Sequence, residues 1–366
     1  MRILMIIDGL PGGGAEKTVL TLSRGLVAQG HQVSVFSLRR VCDYEIPEGV
    51  DYQIILDKCK KPWRKLTELS RRAALLDSAV EQAQKQGHFD LIFSHLHKTD
   101  RIVAHTKLIP REKLWYCVHG MFSFSYLLHR HGFSRWFKRQ KIQRVYQNSN
   151  VVAVSKAVLN DITSRFDITL AKSAVIHNPF DIDAIHQLAK EPCEMAGQDY
   201  LIHVGRFHEH KRHDRLIKAY ALSGIQAPLV LMGSGSLERI EQIKTMATAA
   251  GVADRVVFKS FVPNPYPWIA NARMLLLSSD CEGFGNVLVE ALICQTPAVS
   301  THCPGGPEEI LTGELARGLS GMSDRQLADT MLDIYHNPPA INDRTIESYS
   351  IGAICQQYLS LATEKR

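Results

Sequence analysis

Glu282 and Glu290 lie in the stretch Leu277-Ser278-Ser279-Asp280-Cys281-Glu282-Gly283-Phe284-Gly285-Asn286-Val287-Leu288-Val289-Glu290-Ala291-Leu292, the part of the chain most specific for chemistry. Glu282 follows an apolar run that reads as a strand, and a helix begins near Asn286. Gly283 and Gly285 let the backbone approach a ligand, and the first N–H groups of the helix face the same place. Glu290 sits a turn into that helix among Val287, Leu288, Val289, Ala291 and Leu292. A helix serving only the core rarely carries a carboxylate there, because burying one unpaired is costly. Two carboxylates at a helix N-terminus can accept hydrogen bonds from vicinal hydroxyls while the N–H groups hold phosphate. That layout suits a nucleotide-sugar.

Upstream, the strand-like run Tyr200–Val204 ends in Gly205-Arg206, and Lys211 follows. Arginine supplies a planar fork and lysine a mobile point charge, a suitable pair for a diphosphate. Gly233-Ser234-Gly235-Ser236 is a glycine-rich turn that belongs beside this motif and could floor a base. Val118-His119-Gly120 ends a strand and aims an imidazole at the ligand. His203, His208, His210 and His213 lack a carboxylate or cysteine partner at a recognisable metal-ligand spacing, so no metal site is expected. Gly12-Gly13-Gly14-Ala15-Glu16 opens a helix after the first strand. A dinucleotide fingerprint would need glycine at Lys17 and an acid where the second strand ends in Arg39-Arg40, which argues against an oxidoreductase.

Short apolar runs alternate with helix-length segments along the chain, which predicts parallel βαβ units. Strands are expected at Ile3–Ile7, Gln32–Ser37, Tyr52–Leu56, Leu91–Ser94, Leu114–Val118 and Val151–Val154. The pattern breaks at His177-Asn178-Pro179-Phe180-Asp181 and restarts, giving two Rossmann-sized α/β wraps facing across a cleft. The expected division is 1–180 and 181–344, with 345–366 returning to the first domain. The net charge of +6 hides an asymmetry: residues 1–180 hold 27 Lys and Arg against 15 Asp and Glu, and 181–366 hold 16 against 22. The basic half points to an anionic partner. Eight scattered cysteines without a C-x-x-C pair fit a reducing compartment. The N-terminus lacks a signal-peptide pattern, and no run of about 18 apolar residues is present.

Gly205-Arg206 with Lys211, the Glu282/Glu290 pair within Glu-Gly-Phe-Gly, and Gly305-Gly306-Pro307-Glu308-Glu309-Ile310 resemble the retaining glycosyltransferases of family 4, which have the GT-B fold. Gly-Gly-Gly-Ala-Glu, Val-His-Gly, Ala-Val-Ser-Lys at 153–156 and Ile-His-Asn-Pro at 176–179 fit in the same order. The chain departs from the family after Ile310, where Thr312-Gly313-Glu314-Leu315-Ala316-Arg317-Gly318 replaces an Asp-Gly-x-Asn-Gly turn. The resemblance implies an acceptor-binding first domain and a donor-binding second domain. It implies a metal-independent transfer without cofactor, with a UDP-sugar as co-substrate and with retention at the transferred hexose or N-acetylhexosamine. Arg206 and Lys211 would neutralise the diphosphate, Glu290 would hold the ribose and Glu282 the sugar hydroxyls. His119 would touch the sugar near the reaction centre, and Gly13 and Gly14 would approach phosphate or acceptor. Gly205, Gly233, Gly235, Ser279, Gly283, Phe284, Gly285, Asn286 and Val287 would complete the donor site.

A basic, aromatic stretch contains Arg135, Trp136, Lys138, Arg139 and Lys141, and a second cluster contains Lys60, Lys61, Arg64, Arg71 and Arg72 beside Trp63. Such stretches suit an anionic membrane surface or a lipid-linked acceptor. No nucleic-acid-binding motif appears. The expectation is a cytoplasmic enzyme, peripheral on the inner face of the membrane. It would act on a lipid-linked or lipopolysaccharide acceptor in bacterial surface glycan synthesis. A transferase with a soluble acceptor and a non-catalytic nucleotide-sugar binder are the alternatives.

Overall fold

The computed structural model describes residues 1–60 and 64–362 and resolves the chain into two compact units. The first unit is Met1–Phe180 together with the segment from Ser350, and the second is Asp181–Tyr349. The chain leaves the first unit at Phe180 and re-enters it at Ser350, and these two residues pair as an isolated parallel bridge.

In the first unit, β1 (Arg2–Ile7), β2 (Gln32–Ser37), β3 (Val50–Ile54), β4 (Leu91–His95), β5 (Leu114–Val118), β6 (Asn150–Ala153) and β7 (Lys172–Val175) form one sheet in the order β3-β2-β1-β4-β5-β6-β7. Every pairing is parallel. Central strands covered by helices on both faces are continuous apolar runs, as in Ile3–Ile7, all fully buried. The edge strand β7 is half-exposed and reads Lys-Ser-Ala-Val, so it lacks the apolar run that marks its neighbours. After β6 the chain forms an α-helix at Lys156–Asn160 that passes into a π-helical turn at Asp161–Arg165.

The second unit holds β8 (Leu201–Val204), β9 (Leu229–Met232), β10 (Val256–Lys259), β11 (Met274–Leu277), β12 (Ala298–Thr301) and β13 (Leu319–Ser320), ordered β10-β9-β8-β11-β12-β13 and again parallel. Each sheet winds outward in both directions from a central pair: β1 and β4 in the first unit, β8 and β11 in the second. At such a reversal the loops leaving the two strands part, and the carboxyl ends open a crevice that can take a ligand.

The final helix, Ile351–Ser360, belongs to the first unit's core. Ile354, Cys355 and Tyr358 are fully buried there, and the Tyr358 ring meets Phe93 of β4 edge-on at 5.1 Å. The preceding short helix, Asp343–Glu347, stays in the second unit, where Gln295 donates to Asp343. Truncating a fully buried isoleucine removes transfer energy and leaves a cavity. Ile354→Ala should therefore destabilise the first unit by about 2–5 kcal/mol. Denaturant unfolding with hydrogen exchange on the final helix checks this, and unchanged protection there would contradict the packing.

Candidate functional site

The crevice of the second unit carries the residues that the sequence singles out. Val204 ends β8, and Gly205-Arg206 follows directly. Leu277 ends β11, and the chain runs through Ser278–Glu282 to the helix Asn286–Ile293. Both loops therefore leave the strand pair at which the sheet reverses.

A partly buried ionic frame fixes these loops to each other. Asp280 accepts from Arg215 at 2.8 Å and from Arg212 at 3.0 Å. Arg215, buried, also donates to the Ser278 carbonyl, and Arg212 forks onto Asp214 at 2.8 and 2.9 Å. The Asp214 carboxyl is held down at about 2, chiefly by its hydrogen bonds from Arg212. Arg212 has φ of 49°, a left-handed backbone uncommon outside glycine. The Asp280 amide donates to the His210 carbonyl and the Ser278 hydroxyl to that of Lys211, so the two loops are tied along their length.

On this frame Lys211 donates to Glu282 Oε1 at 2.7 Å, and the Ser279 hydroxyl donates to the same oxygen. Glu282 Oε2 has no protein partner among the described residues, and the side chain is 12% exposed. An ammonium has three donors, so Lys211 retains capacity beyond Glu282. Arg206 is exposed and without a protein partner among the described residues. Glu290 is half-buried and accepts from the Tyr266 hydroxyl at 3.2 Å. Gly285, left-handed at φ of 99°, is the N-cap of the helix.

Two of the glycines are required by close approach. A Cβ on Gly233 would lie 1.9 Å from the Gly205 carbonyl oxygen, and one on Gly305 would lie 2.2 Å from that of Glu282. The Gly233–Ser236 turn thus packs on the Gly205 loop, where Phe207 donates to the Ser234 carbonyl, and Gly235 lies against the Phe207 ring. The Gly305–Gly306 loop supports Glu282 and Phe284. Gly283, Asn286 and Val287 are half-buried around the same turn. The four histidines of this region do not gather round a common point. His203 is fully buried with Nδ1 on the Leu276 carbonyl, and burial holds it neutral with its pKa lowered to about 4.

In the first unit, Gly13 is the N-cap of the helix Gly14–Ala28, and its carbonyl accepts from the Tyr44 hydroxyl. His119 follows β5, and its Nε2 lies 3.0 Å from Nδ1 of His95, the last residue of β4. His95 is fully buried, and no motif in the sequence marks it. Burial lowers His119 to about 4, so both rings are neutral near pH 7 and one donates to the other.

The basic helix Gly132–Tyr146 turns its aromatics outward: Phe133, Trp136 and Phe137 are 76%, 53% and 46% exposed. Phe133 stacks on Trp136, and the Lys141 ammonium lies over Phe137. Arg135 is exposed, and Arg139 is half-buried. Lys138 is half-buried over the Tyr126 ring, and burial lowers its pKa to about 8. The second basic cluster is less free than its composition implies. Lys60 and Arg64 are exposed, but Arg71 is bound to Asp57 and Arg72 is buried. Lys61 and Trp63 lie outside the described residues.

Replacing His95 removes the neighbour that orients His119. His95→Phe should cost about fivefold in the rate of any reaction in which His119 takes part, since a lost neutral hydrogen bond is worth about 1 kcal/mol. His95→Asn, which can still donate, should recover part of it. Nitrogen-15 shifts of the His119 ring read the tautomer directly, and an unchanged tautomer in His95→Phe would contradict the role.

A family model for Glycosyltransferase Family 4 matches residues 12–184, and one for Glycosyl transferases group 1 matches residues 188–349. The chain is 25% identical over 310 residues to the N-acetylgalactosamine-N,N'-diacetylbacillosaminyl-diphospho-undecaprenol 4-alpha-N-acetylgalactosaminyltransferase of Campylobacter jejuni, covering 84% of this chain and 83% of the relative. It is 24% identical over 357 residues to the D-inositol 3-phosphate glycosyltransferase of Arthrobacter, covering 90% and 84%. The crystal structure of Anabaena HepE in complex with UDP superposes with a TM-score of 0.77 at 20% identity, over the whole of both chains. With two parallel-sheet α/β units and family matches from residue 12 to residue 349, the chain belongs to the family 4, group 1 glycosyltransferases of the GT-B fold.

Proposed function

We propose that the protein is a retaining glycosyltransferase that moves a hexose or N-acetylhexosamine from a UDP-sugar to a lipid-linked or lipopolysaccharide glycan acceptor. The observation that carries this reading is the set Arg206, Lys211, Ser279 and Glu282 at the carboxyl ends of β8 and β11. Arg206 is exposed without a protein partner among the described residues, and Lys211 keeps donors beyond its bond to Glu282, whose Oε2 is open. The UDP in the Anabaena structure and the lipid-diphosphate named for the Campylobacter relative support the donor and acceptor assignments. The inositol phosphate named for the Arthrobacter relative supports the alternative of a soluble acceptor. The exposed aromatics of Gly132–Tyr146 favour the lipid reading, because Trp and Phe flanked by Lys and Arg suit the headgroup boundary.

In this mechanism Arg206 and Lys211 stabilise the diphosphate as the bond from the sugar C1 to its β-phosphate oxygen breaks. Such preorganised charge is a large catalytic contribution. The acceptor oxygen bonds to C1 on the same face, and its proton passes to the departing phosphate. Glu282 holds sugar hydroxyls through Oε2, Glu290 the ribose, and His119 a hydroxyl of the reacting sugar. The cations meet the leaving-group charge without a bound metal.

Arg206→Ala, Lys211→Ala and Glu282→Ala should each lower the rate by about a hundredfold or more, the scale of losing one charge-stabilising donor. Transfer assays on folded variants check this, and full activity in any two would sink the assignment. Chelator should leave the rate unchanged. The double variant Phe133→Ala/Trp136→Ala should lose co-sedimentation with vesicles of anionic phospholipid at low salt. Equal binding by wild type and variant, or no binding by wild type, would remove the membrane role.

A further inference from the structure

The first unit has its own reversal point, between β1 and β4, and an excess of positive charge is built into it. Asp8 is the residue after β1, and its side chain is only 5% exposed. Cations from three elements converge on it. Arg39, just beyond β2, brings Nε to 2.6 Å of Oδ2. Lys98, on the helix after β4, brings Nζ to 3.0 Å of the same oxygen. Arg72, on the helix Glu68–Gln84 and itself buried, reaches Oδ1 at 3.3 Å. Arg72 also donates to the Leu38 carbonyl and to Glu68, which leaves three cations against two carboxylates.

One buried carboxylate needs one cation. Holding further cations within reach of it costs repulsion and desolvation unless another anion shares them. Arg39 and Lys98 are 44% and 54% exposed, and no other partner engages either among the described residues. The guanidinium ends and the ammonium thus keep donors in the crevice. Lys98 is placed there by a strained turn: Leu96, between β4 and the helix, has φ of 73°. That conformation is a true outlier for a bulky side chain, and such strain gathers at ligand sites.

We propose that Arg39, Lys98 and Arg72, organised by Asp8, form an anion site for a phosphate or diphosphate group carried by the acceptor. The acceptor as source of that group rests on the transferase reading; the anion site itself stands on the first unit alone. The buried Asp8 sets the spacing of the cations, and the exposed ends of Arg39 and Lys98 close on the phosphoryl oxygens.

The test is calorimetric titration of the full chain with inorganic pyrophosphate after saturation with UDP, which occupies the donor site. A second binding event is expected. Lys98→Gln and Arg39→Gln should each weaken it by about tenfold, the value of one charge-assisted hydrogen bond, without altering UDP binding. Asp8→Asn should tighten it; if that variant does not fold, the two surface variants decide. A parallel titration with a short-chain prenyl diphosphate distinguishes the source. Tighter binding than pyrophosphate marks a lipid-borne group, and equal binding marks a soluble phosphate. Pyrophosphate affinity identical in wild type, Lys98→Gln and Arg39→Gln would overturn the site. If UDP does not bind, the transferase reading fails. The same pyrophosphate comparison in an Arg206→Ala background then judges the anion site alone.

Discussion

The candidate site of the second unit depends on one carboxylate, Asp280, and the two arginines it holds. Without a negative charge between them, Arg215 would be a buried cation and Arg212 would have no reason to keep its left-handed backbone. Removing one partner of a buried pair is far more costly than the net worth of the pair, because the other charge is left stranded. The frame therefore fixes the loop after β8 against the loop after β11. Only with those loops fixed does Lys211 meet Glu282. The glycines at 233 and 305 serve the same end, allowing two further loops to pack against this pair at distances no side chain would permit.

Much of this could be read from the chain. The apolar run Leu114–Val118 and the alternating stretch Gln32–Ser37 place β5 and β2 where the structure has them, to the residue. The motifs at 205–211 and 282–290 declare themselves because glycine and charge at strand ends have few other uses. Elements that lack such signals were not legible. The helix His97–Val103 is short and polar, and β13 is two residues long. The frame around Asp280 was equally hidden, since Arg212, Arg215 and Asp280 look like solvated surface charges until the fold brings them together. Arg72 misleads in the opposite way. It sits in a run of basic residues that reads as surface, yet its guanidinium is buried against Asp8.

The charge asymmetry also takes a definite form. The first 180 residues carry twelve more basic than acidic side chains. Part of that excess is internal, held by Asp8 and Asp57. Part is displayed on the helix Gly132–Tyr146, beside aromatic rings that face solvent rather than the core. The second unit is acidic overall, and its exposed Arg206 stands out against that background. Each unit thus places cations at the reversal point of its own sheet, in a protein whose mean composition looks almost neutral.

The central claim is that the crevice between β8 and β11 recognises the second phosphate of a nucleoside diphosphate. Thermal shift with UDP and UMP, at equal concentration, tests it most directly, because a ligand that binds only the folded protein raises its melting temperature. A clear rise with UDP and a much smaller one with UMP is predicted, since Arg206 and Lys211 act on the β-phosphate. Equal shifts with the two nucleotides, or none with either, would contradict the account.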